Sequence, residues 1–459
     1  MELTDVSHVG ADLGTPVIAP HDPDYDKARR VFFGTFDRRP ALIARPTAAA
    51  DVARVVSLAR ESGLELAIRS GGHSGAGHGV SEGGIVLDLS DMRALDIDPE
   101  GRTAWAETGL TAGEYTSAAA AHGLSTGFGD AGSVGIGGIT LGGGVGYLVR
   151  KHGMTIDDLL AAEIVTADGR LLHVDAESHP DLFWAIRGGG GNFGVATRFQ
   201  FRLHELESVV GGMLILPATP EVIASFVAAA EAAPEELSAV ANVMPAPPLP
   251  FVPAQHHGQL VVMATLIYAG AEEPGVRALT PFRALASPIA DTLRPMPYPE
   301  IYPPDDADYR PLAVARSLFL DAFDRGAAEL IVERLRAASA SMAVAQLRVL
   351  GGAMARVPSE ATAFAHRQRR MIVNVAALYP SADEAPLHEA WVTAFASALR
   401  EDAGVYVNFL GEEGEARVRE AYPGSTWDRL AAIKARYDPT NLFRVNHNIP
   451  PATTRPSIP

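Results

Sequence analysis

Two spacings of apolar residues divide this chain into its elements. Val52, Val55, Val56 and Ala59 recur at helical intervals, which predicts a helix opened by Thr47 and closed by Gly63. Asp22–Phe36, with apolar residues on one side behind an acidic opening, predicts an earlier helix. Short apolar runs predict strands at Ala41–Ala44, Leu64–Ile68 and Gly84–Leu89. Ala94–Ile97 and Thr103–Glu107 predict a strand pair around the turn Asp98–Gly101, and Ala161–Thr166 with Leu171–Val174 a hairpin around Ala167–Arg170. Thr111 and Glu114 have capping-box spacing for a helix reaching Ala121. Asp181–Ile186 predicts a short helix leading into GGGGNFG, and VATRFQFRL after it a strand.

Beyond Leu203 the texture changes. Residues 206–403 predict long helices at 218–232, 322–340 and 384–400, and isolated strands at Leu260–Tyr268, Ala345–Val349 and Ile372–Leu378. The proline-rich loops Pro245–Pro253 and Pro295–Pro304 join them, an α+β pattern with an antiparallel sheet backed by helices. From Gly404 to Leu410 (GVYVNFL) the chain resumes an extended run; two helices and the closing NHNIPP follow. The expected division is therefore 1–205, 206–403 and 404–459.

Glycine is concentrated at two places, Arg69–Gly79 (RSGGHSGAGHG) and Gly127–Gly146 (GFGDAGSVGIGGITLGGGVG). Such loops bring bare N–H groups close to an anion, although the first loop, read alone, serves equally as a surface turn that holds histidines. Gly189, Gly191 and Gly194 have dinucleotide-loop spacing, but a strand pattern follows where that motif needs a helix, which argues against NAD.

Composition narrows the classes. In 459 residues, 38 Lys plus Arg face 55 Asp plus Glu, a formal charge of −17 that opposes nucleic acid or an anionic membrane as main partner. The basic run Arg367–Arg370 reads as a solvated helix end. With no cysteine, disulfides, thiolate catalysis and cysteine metal sites are excluded. His256 and His257, adjacent in a proline-flanked loop, make a poor metal pair. The opening MELTDVSHVGADLG lacks the charge and apolar core of a secretion signal, so a cytoplasmic location is expected.

Three segments carry a resemblance: RSGGHS, then VGIGGITLGGGVGYLVRKHGMTIDDLLAAEIVTADG, then DLFWAIRGGGGNFGV. They resemble the flavin-binding domain of the vanillyl-alcohol-oxidase/p-cresol-methylhydroxylase superfamily. The ending, YVNF … RLAAIKARYDPTNLFRVNHNIPP, is similar to its berberine-bridge-enzyme-like branch. The resemblance implies FAD held by two α+β subdomains, its reactive ring facing a separate substrate domain. His73 matches the histidine bonded to the flavin 8α-methyl carbon; Arg69, Ser70, Gly71, Gly72 and Ser74 belong to the same cradle. His78 suits a loop hydrogen bond or a catalytic role. Gly135, Gly137, Gly138, Gly142 and Gly143 would let backbone approach the cofactor, and Asp158, Val195, Asn446 and Asn448 match positions around it. Ala131 stands where bicovalent members carry a second attachment, a cysteine, so a single bond through one histidine is implied.

On the catalytic side, Tyr406 matches the family's tyrosine near the flavin, a candidate base or an orienting residue. As alternate residues of an extended run, Tyr406 and Asn408 would share a face. Asn374 corresponds to a substrate-facing strand. Val134 matches a position that in relatives lies beside the reactive flavin edge, or only packs in the core; by that resemblance its modest size favours O2 as acceptor. Ile139 and Val145 are apolar where some relatives are polar. The implied activity is an FAD-dependent oxidase moving a hydride from an alcohol, amine or activated C–H carbon, with a dehydrogenase, an oxygenase or a non-catalytic flavoprotein as alternatives.

Overall fold

The computed structural model describes residues 13–302, 306, 308–399 and 404–453. Residues 1–12 of the opening stretch, Pro303 and Pro304 of the second proline-rich loop, and the last residue of the helix expected over 384–400 lie outside the described residues.

Four short strands form the first sheet, in the spatial order Val17–Ile18, Leu42–Ala44, Ile85–Asp88, Leu66–Arg69. The last three are parallel, with Leu66 opposite Ile85 and Arg69 opposite Asp88. Two adjacent parallel strands need a connection that climbs back along the sheet. Here that crossover is the first glycine loop, which carries no helix and runs past the strand ends. Helix Ala49–Ser62 packs Val52, Val55, Val56 and Ala59 against this sheet and ends at Gly63 with φ 71°, as the pattern predicted. Its N-cap, however, is Ala48 rather than Thr47, and no side chain caps it. The helix expected over Asp22–Phe36 is confined to Tyr25–Ala28. Beyond it the backbone bonds to other segments: Phe32 N–H donates to the Gly72 carbonyl at 3.0 Å and Gly34 N–H to the Pro311 carbonyl at 3.0 Å.

The second sheet is antiparallel, in the order Leu95–Asp98, Thr103–Glu107, Val195–Arg202, Leu159–Val165, Leu171–Asp175. The Thr111–Glu114 capping box forms and opens helix Ala112–Ala120. Val195–Arg202 is the central strand, so the glycines at 189, 191 and 194 do lead into a strand.

Residues 209–379 build an eight-stranded sheet whose main neighbours, in order, are Val209–Pro217, Leu260–Tyr268, Leu237–Pro245, Met342–Val349, Met371–Tyr379 and Leu312–Leu320. The strands read at Leu260–Tyr268, Ala345–Val349 and Ile372–Leu378 join the antiparallel, helix-backed sheet that the pattern predicted. Helices Pro220–Ala232, Glu272–Arg283, Arg325–Arg336 and Ala385–Leu399 cover one face, with Phe226, Phe282, Ile331 and Phe395 packed against Ala345, Leu347, Val373 and Val375. Because side chains alternate, Gln346, Arg348 and Asn374 emerge on the other face. Glu272–Arg283 escaped the sequence reading because Pro281 lies inside it. The helix expected over 322–340 is shorter because the Asp324 carboxylate caps it, accepting from Ala327 N–H at 2.9 Å.

Two further expectations fail. Gly404–Leu410 is not a strand: Val407–Phe409 is a 3-10 turn with Tyr406 as N-cap. Arg367 is not solvated. Its side chain is fully buried, and both terminal nitrogens donate to the Asp157 carboxylate at 2.8 Å, tying the segment after Met342–Val349 to the glycine-rich half. Among the described residues, no helix is long and apolar enough to cross a membrane.

Candidate active site

A cavity of about 470 Å³ lies where the glycine loops, the open face of the large sheet and the C-terminal segment meet. The first loop contributes Arg69, Ser70, Gly71, Gly72, His73, Ser74 and His78 to its wall. The second contributes Val134, Gly135, Gly137 and Gly138, and Val195, Asn374, Tyr406, Asn408 and Asn446 complete the expected set.

Glycine is required where the two loops meet. A Cβ on Gly71 would stand 2.2 Å from the Gly135 nitrogen, and one on Gly135 would stand 2.1 Å from Ser70 Oγ. Ser70 joins the loops: its hydroxyl donates to the Thr108 carbonyl and accepts from Gly137 N–H at 3.3 Å. Arg69 touches the wall, but its guanidinium points back into the fold. It pairs with Asp88 at 2.8 Å and donates to the Ala28 carbonyl at 2.6 Å. The His73 imidazole stacks on Phe32, with ring centroids 4.2 Å apart and planes 19° apart. His78 meets His447 edge to face at 4.7 Å. Burial holds His78 well below its usual value and His447 down at about 4, so both rings are neutral at pH 7.

Four expected residues stand behind the wall or away from it. Gly142 leaves room for Asn408, whose Oδ1 would be 1.9 Å from an added Cβ. Gly143, at φ 133°, backs onto Met154 and the Tyr406 ring. Asp158 is buried against a different ring, its Oδ1 2.7 Å from His204 Nε2, and burial raises its pKa. Asn448 is off the wall, with its Oδ1 buried and unpartnered.

Tyr406 and Asn408 do converge, through the turn and not through strand alternation. Asn408 Nδ2 donates to the Tyr406 phenol oxygen at 2.9 Å, and Gly144 N–H donates to the same oxygen at 2.8 Å. Burial pushes the phenol up to about 12, against the lowering effect of Asn408, Gly144 and nearby Arg348. In both bonds the phenol oxygen accepts, and burial disfavours its ionised form.

Sequence reasoning missed Asp130, Arg348, Tyr422 and His447. Asp130 is the one acidic residue in the second glycine cluster, a signal that was available. Arg348 had a fainter one, a charge at the end of an apolar strand pattern.

The residues present fit a large, partly flat cofactor. Gly138 and Gly191 line the cavity, and a Cβ on either would meet no protein atom within 4 Å, so their backbones lie open to it. Asn374 Oδ1, Tyr422 OH and Asn446 Oδ1 are buried on the wall without a partner, as expected of groups that serve a ligand.

Known proteins agree. The FAD binding domain family matches residues 40–175, and the family described as berberine and berberine like matches residues 405–450. (R)-6-hydroxynicotine oxidase of Paenarthrobacter nicotinovorans is 31% identical over 475 aligned residues, 96% of this chain and 99% of its own. Xylooligosaccharide oxidase of Thermothelomyces thermophilus is 28% identical, over 95% and 92% of the two chains. The crystal structure of 6-hydroxy-D-nicotine oxidase from Arthrobacter nicotinovorans superposes with a TM-score of 0.85 at 28% identity, covering 95% of this chain and 98% of that one. The fold is that of a flavin-dependent oxidoreductase. The chain belongs to the berberine-bridge-enzyme-like FAD-linked oxidases of the vanillyl-alcohol-oxidase/p-cresol-methylhydroxylase superfamily.

Proposed function

We propose that this protein is an oxidase that carries FAD on His73 and oxidises an alcohol, amine or activated C–H carbon of a small to medium organic molecule. Bound flavin supplies a two-electron acceptor at N5 and a route to O2, yielding hydrogen peroxide. Residues 1–205 with 404–459 hold it, and 206–403 shape the substrate end. The observation that carries the reading is His73: a glycine loop presents this imidazole on the cavity wall, its plane fixed by Phe32.

The chain's own residues divide the remaining work. Backbone around Gly135, Gly137 and Gly138 allows close approach of the cofactor. Asn446 and Tyr422 offer it unpartnered polar atoms. Tyr406, whose burial favours the protonated phenol against the lowering pull of the two N–H groups on its oxygen, orients a bound group. Val134, modest in bulk, leaves oxygen room. The relatives' names supply two first compounds to try, 6-hydroxynicotine and xylobiose-type oligosaccharides.

The test is acid precipitation followed by an oxygen electrode. A washed pellet that stays yellow, and turns colourless in His73→Ala, supports attachment through His73. Oxygen uptake with stoichiometric peroxide supports an oxidase. Flavin bleaching without oxygen uptake would make it a dehydrogenase, and oxygen built into product an oxygenase.

A further inference from the structure

The Tyr406 oxygen already accepts two N–H groups, so an acceptor with an oxygen left open must lie elsewhere on the wall. Among the described residues the cavity is lined by one carboxylate, Asp130. We propose that Asp130 is the catalytic residue that accepts the substrate's heteroatom proton, with Arg348 as its positioning residue. This rests on the oxidase reading above, and narrows its substrates to alcohols and amines that bear an O–H or N–H on the reacting carbon.

The geometry separates the two oxygens of this carboxylate. Asp130 Oδ2 accepts from Arg348 Nη2, while Oδ1 takes no hydrogen bond from the described residues. The side chain remains 30% exposed, and Arg348 beside it only 2%. Arg348 cannot swing away. Its Nη1 donates to the Val145 carbonyl at 2.9 Å, its Nη2 also to Gln346 Oε1 at 3.1 Å, and its guanidinium lies over the Phe409 ring at 5.4 Å. One oxygen is thus clamped and the other left for a ligand. Tyr147 and Tyr302 are the other titratable groups facing Asp130, and burial raises both phenols, so Arg348 is the charge that meets it. Asn374 stands on the same sheet face, opposite Gln346 in register, and its buried Oδ1 has no partner either. Asp130 Oδ1 and Asn374 together offer acceptors to a substrate that brings donors.

The step balances as follows. The substrate's O–H or N–H bond breaks and its proton forms a bond to Asp130 Oδ1, converting carboxylate to carboxylic acid. The adjacent C–H bond breaks and that hydrogen leaves with its electron pair to the flavin, while C=O or C=N forms. A general base must lie within hydrogen-bond reach of the proton it takes, and the Asp130 oxygen that takes no hydrogen bond from the described residues is a carboxylate acceptor open to the cavity.

The experiment uses the flavin-loaded enzyme without oxygen. A panel of alcohols and of primary and secondary amines, including xylobiose, is screened for flavin bleaching together with their O-methyl and N,N-dialkyl analogues and with (R)-6-hydroxynicotine, a tertiary amine that belongs among the blocked compounds. Reduction by the reactive compound is then followed against pH in the wild type, Asp130→Asn, Arg348→Gln and Tyr406→Phe. Asp130→Asn should slow reduction on the order of 10²-fold or more while keeping its flavin absorbance, and should lose the acid limb of the profile. Arg348→Gln should move that limb to higher pH, since the favourable positive charge is gone; Tyr406→Phe should keep it. In infrared difference spectra of the resting enzyme, acidification should produce a carboxylic-acid stretch that Asp130→Asn lacks. Asp130→Asn within threefold of the wild-type rate, an acid limb lost in Tyr406→Phe instead, or equal bleaching by the blocked analogues would overturn the assignment. A panel that bleaches nothing counts against the oxidase reading itself.

Discussion

Lys434 and Asp438, one helical turn apart, form an ion pair in which both side chains are fully buried, with Nζ 2.6 Å from Oδ2. Lys434 Nζ also donates to the carbonyls of Asn192 at 2.8 Å and Phe443 at 2.9 Å, while the Asp438 carboxylate accepts the N–H groups of Leu442 and Phe443 at 2.8 Å. The pair thereby fastens the C-terminal segment carrying Asn446 and His447 onto the glycine loop at 189–194. Burial lowers the Lys434 pKa while Asp438 opposes the shift. Lys434→Met should leave the Asp438 carboxylate uncompensated and cost about 3–5 kcal/mol. Denaturant unfolding checks this, and the variant should also release flavin more readily; unchanged stability would count against the pair as a fastener.

Tyr406→Phe should behave differently. Removing the hydroxyl strands Gly144 N–H in a buried place, while Asn408 Nδ2 keeps its bond to the Ile139 carbonyl at 3.0 Å, and this costs roughly 1–3 kcal/mol. The melting temperature should fall, and turnover should drop by much less than in Asp130→Asn, because the phenol orients and does not accept the proton. A collapse of turnover equal to that of Asp130→Asn would restore the tyrosine as base.

How much of this was legible in the sequence depends on whether the signal was local. Gly63 closing its helix and the Thr111–Glu114 box depend on neighbours a few residues away, and both formed. Long motifs around His73 and Gly135 led to the cavity because their glycines serve backbone contacts that tolerate little else. Arg367 misled because nothing near it in sequence announces Asp157, 210 residues away. Tyr406 and Asn408 met for a reason other than the one expected: a tight turn, not an alternating strand, turns both toward Gly144. The site's electrostatics were the least readable, since Arg348 finds Asp130 only when a strand of the large sheet is laid against the second glycine loop.

Histidines give the pH dependence a definite sign. His447 is held down to about 4 by burial, against a raising hydrogen bond at Leu410, and His78 is lowered by burial, His447 and Arg38. In the unfolded chain both titrate near 6.5. Below that pH the unfolded state binds more protons than the folded one, so stability is full above about 6.5 and is lost as pH falls toward 4. His447 alone should account for about 2 kcal/mol between pH 7.5 and pH 5. Denaturant unfolding at the two pH values checks it. His447→Gln should flatten the slope, and an unchanged slope would refute the assignment.

Two glycines on the same short helix region separate folding from cofactor binding. Gly135→Ala places a methyl 2.2 Å from the Gly71 nitrogen, a backbone atom that cannot yield without parting the two loops. That variant should lose stability even as apoprotein. Gly138→Ala adds its methyl where no protein atom lies within 4 Å, on a residue that lines the cavity and sits in helix Ile136–Gly142. Helical glycine-to-alanine exchange is neutral or stabilising by up to about 1 kcal/mol. Gly138→Ala apoprotein should therefore melt at or above the wild-type temperature. Its FAD uptake should nevertheless weaken, because the methyl occupies space the flavin cofactor needs. Titration of both apoproteins with FAD, followed by protein fluorescence, gives the comparison. If Gly138→Ala binds FAD as tightly as the wild type, the open backbone at 138 does not face the cofactor, and the cradle must be drawn around Gly71 and Gly135 alone.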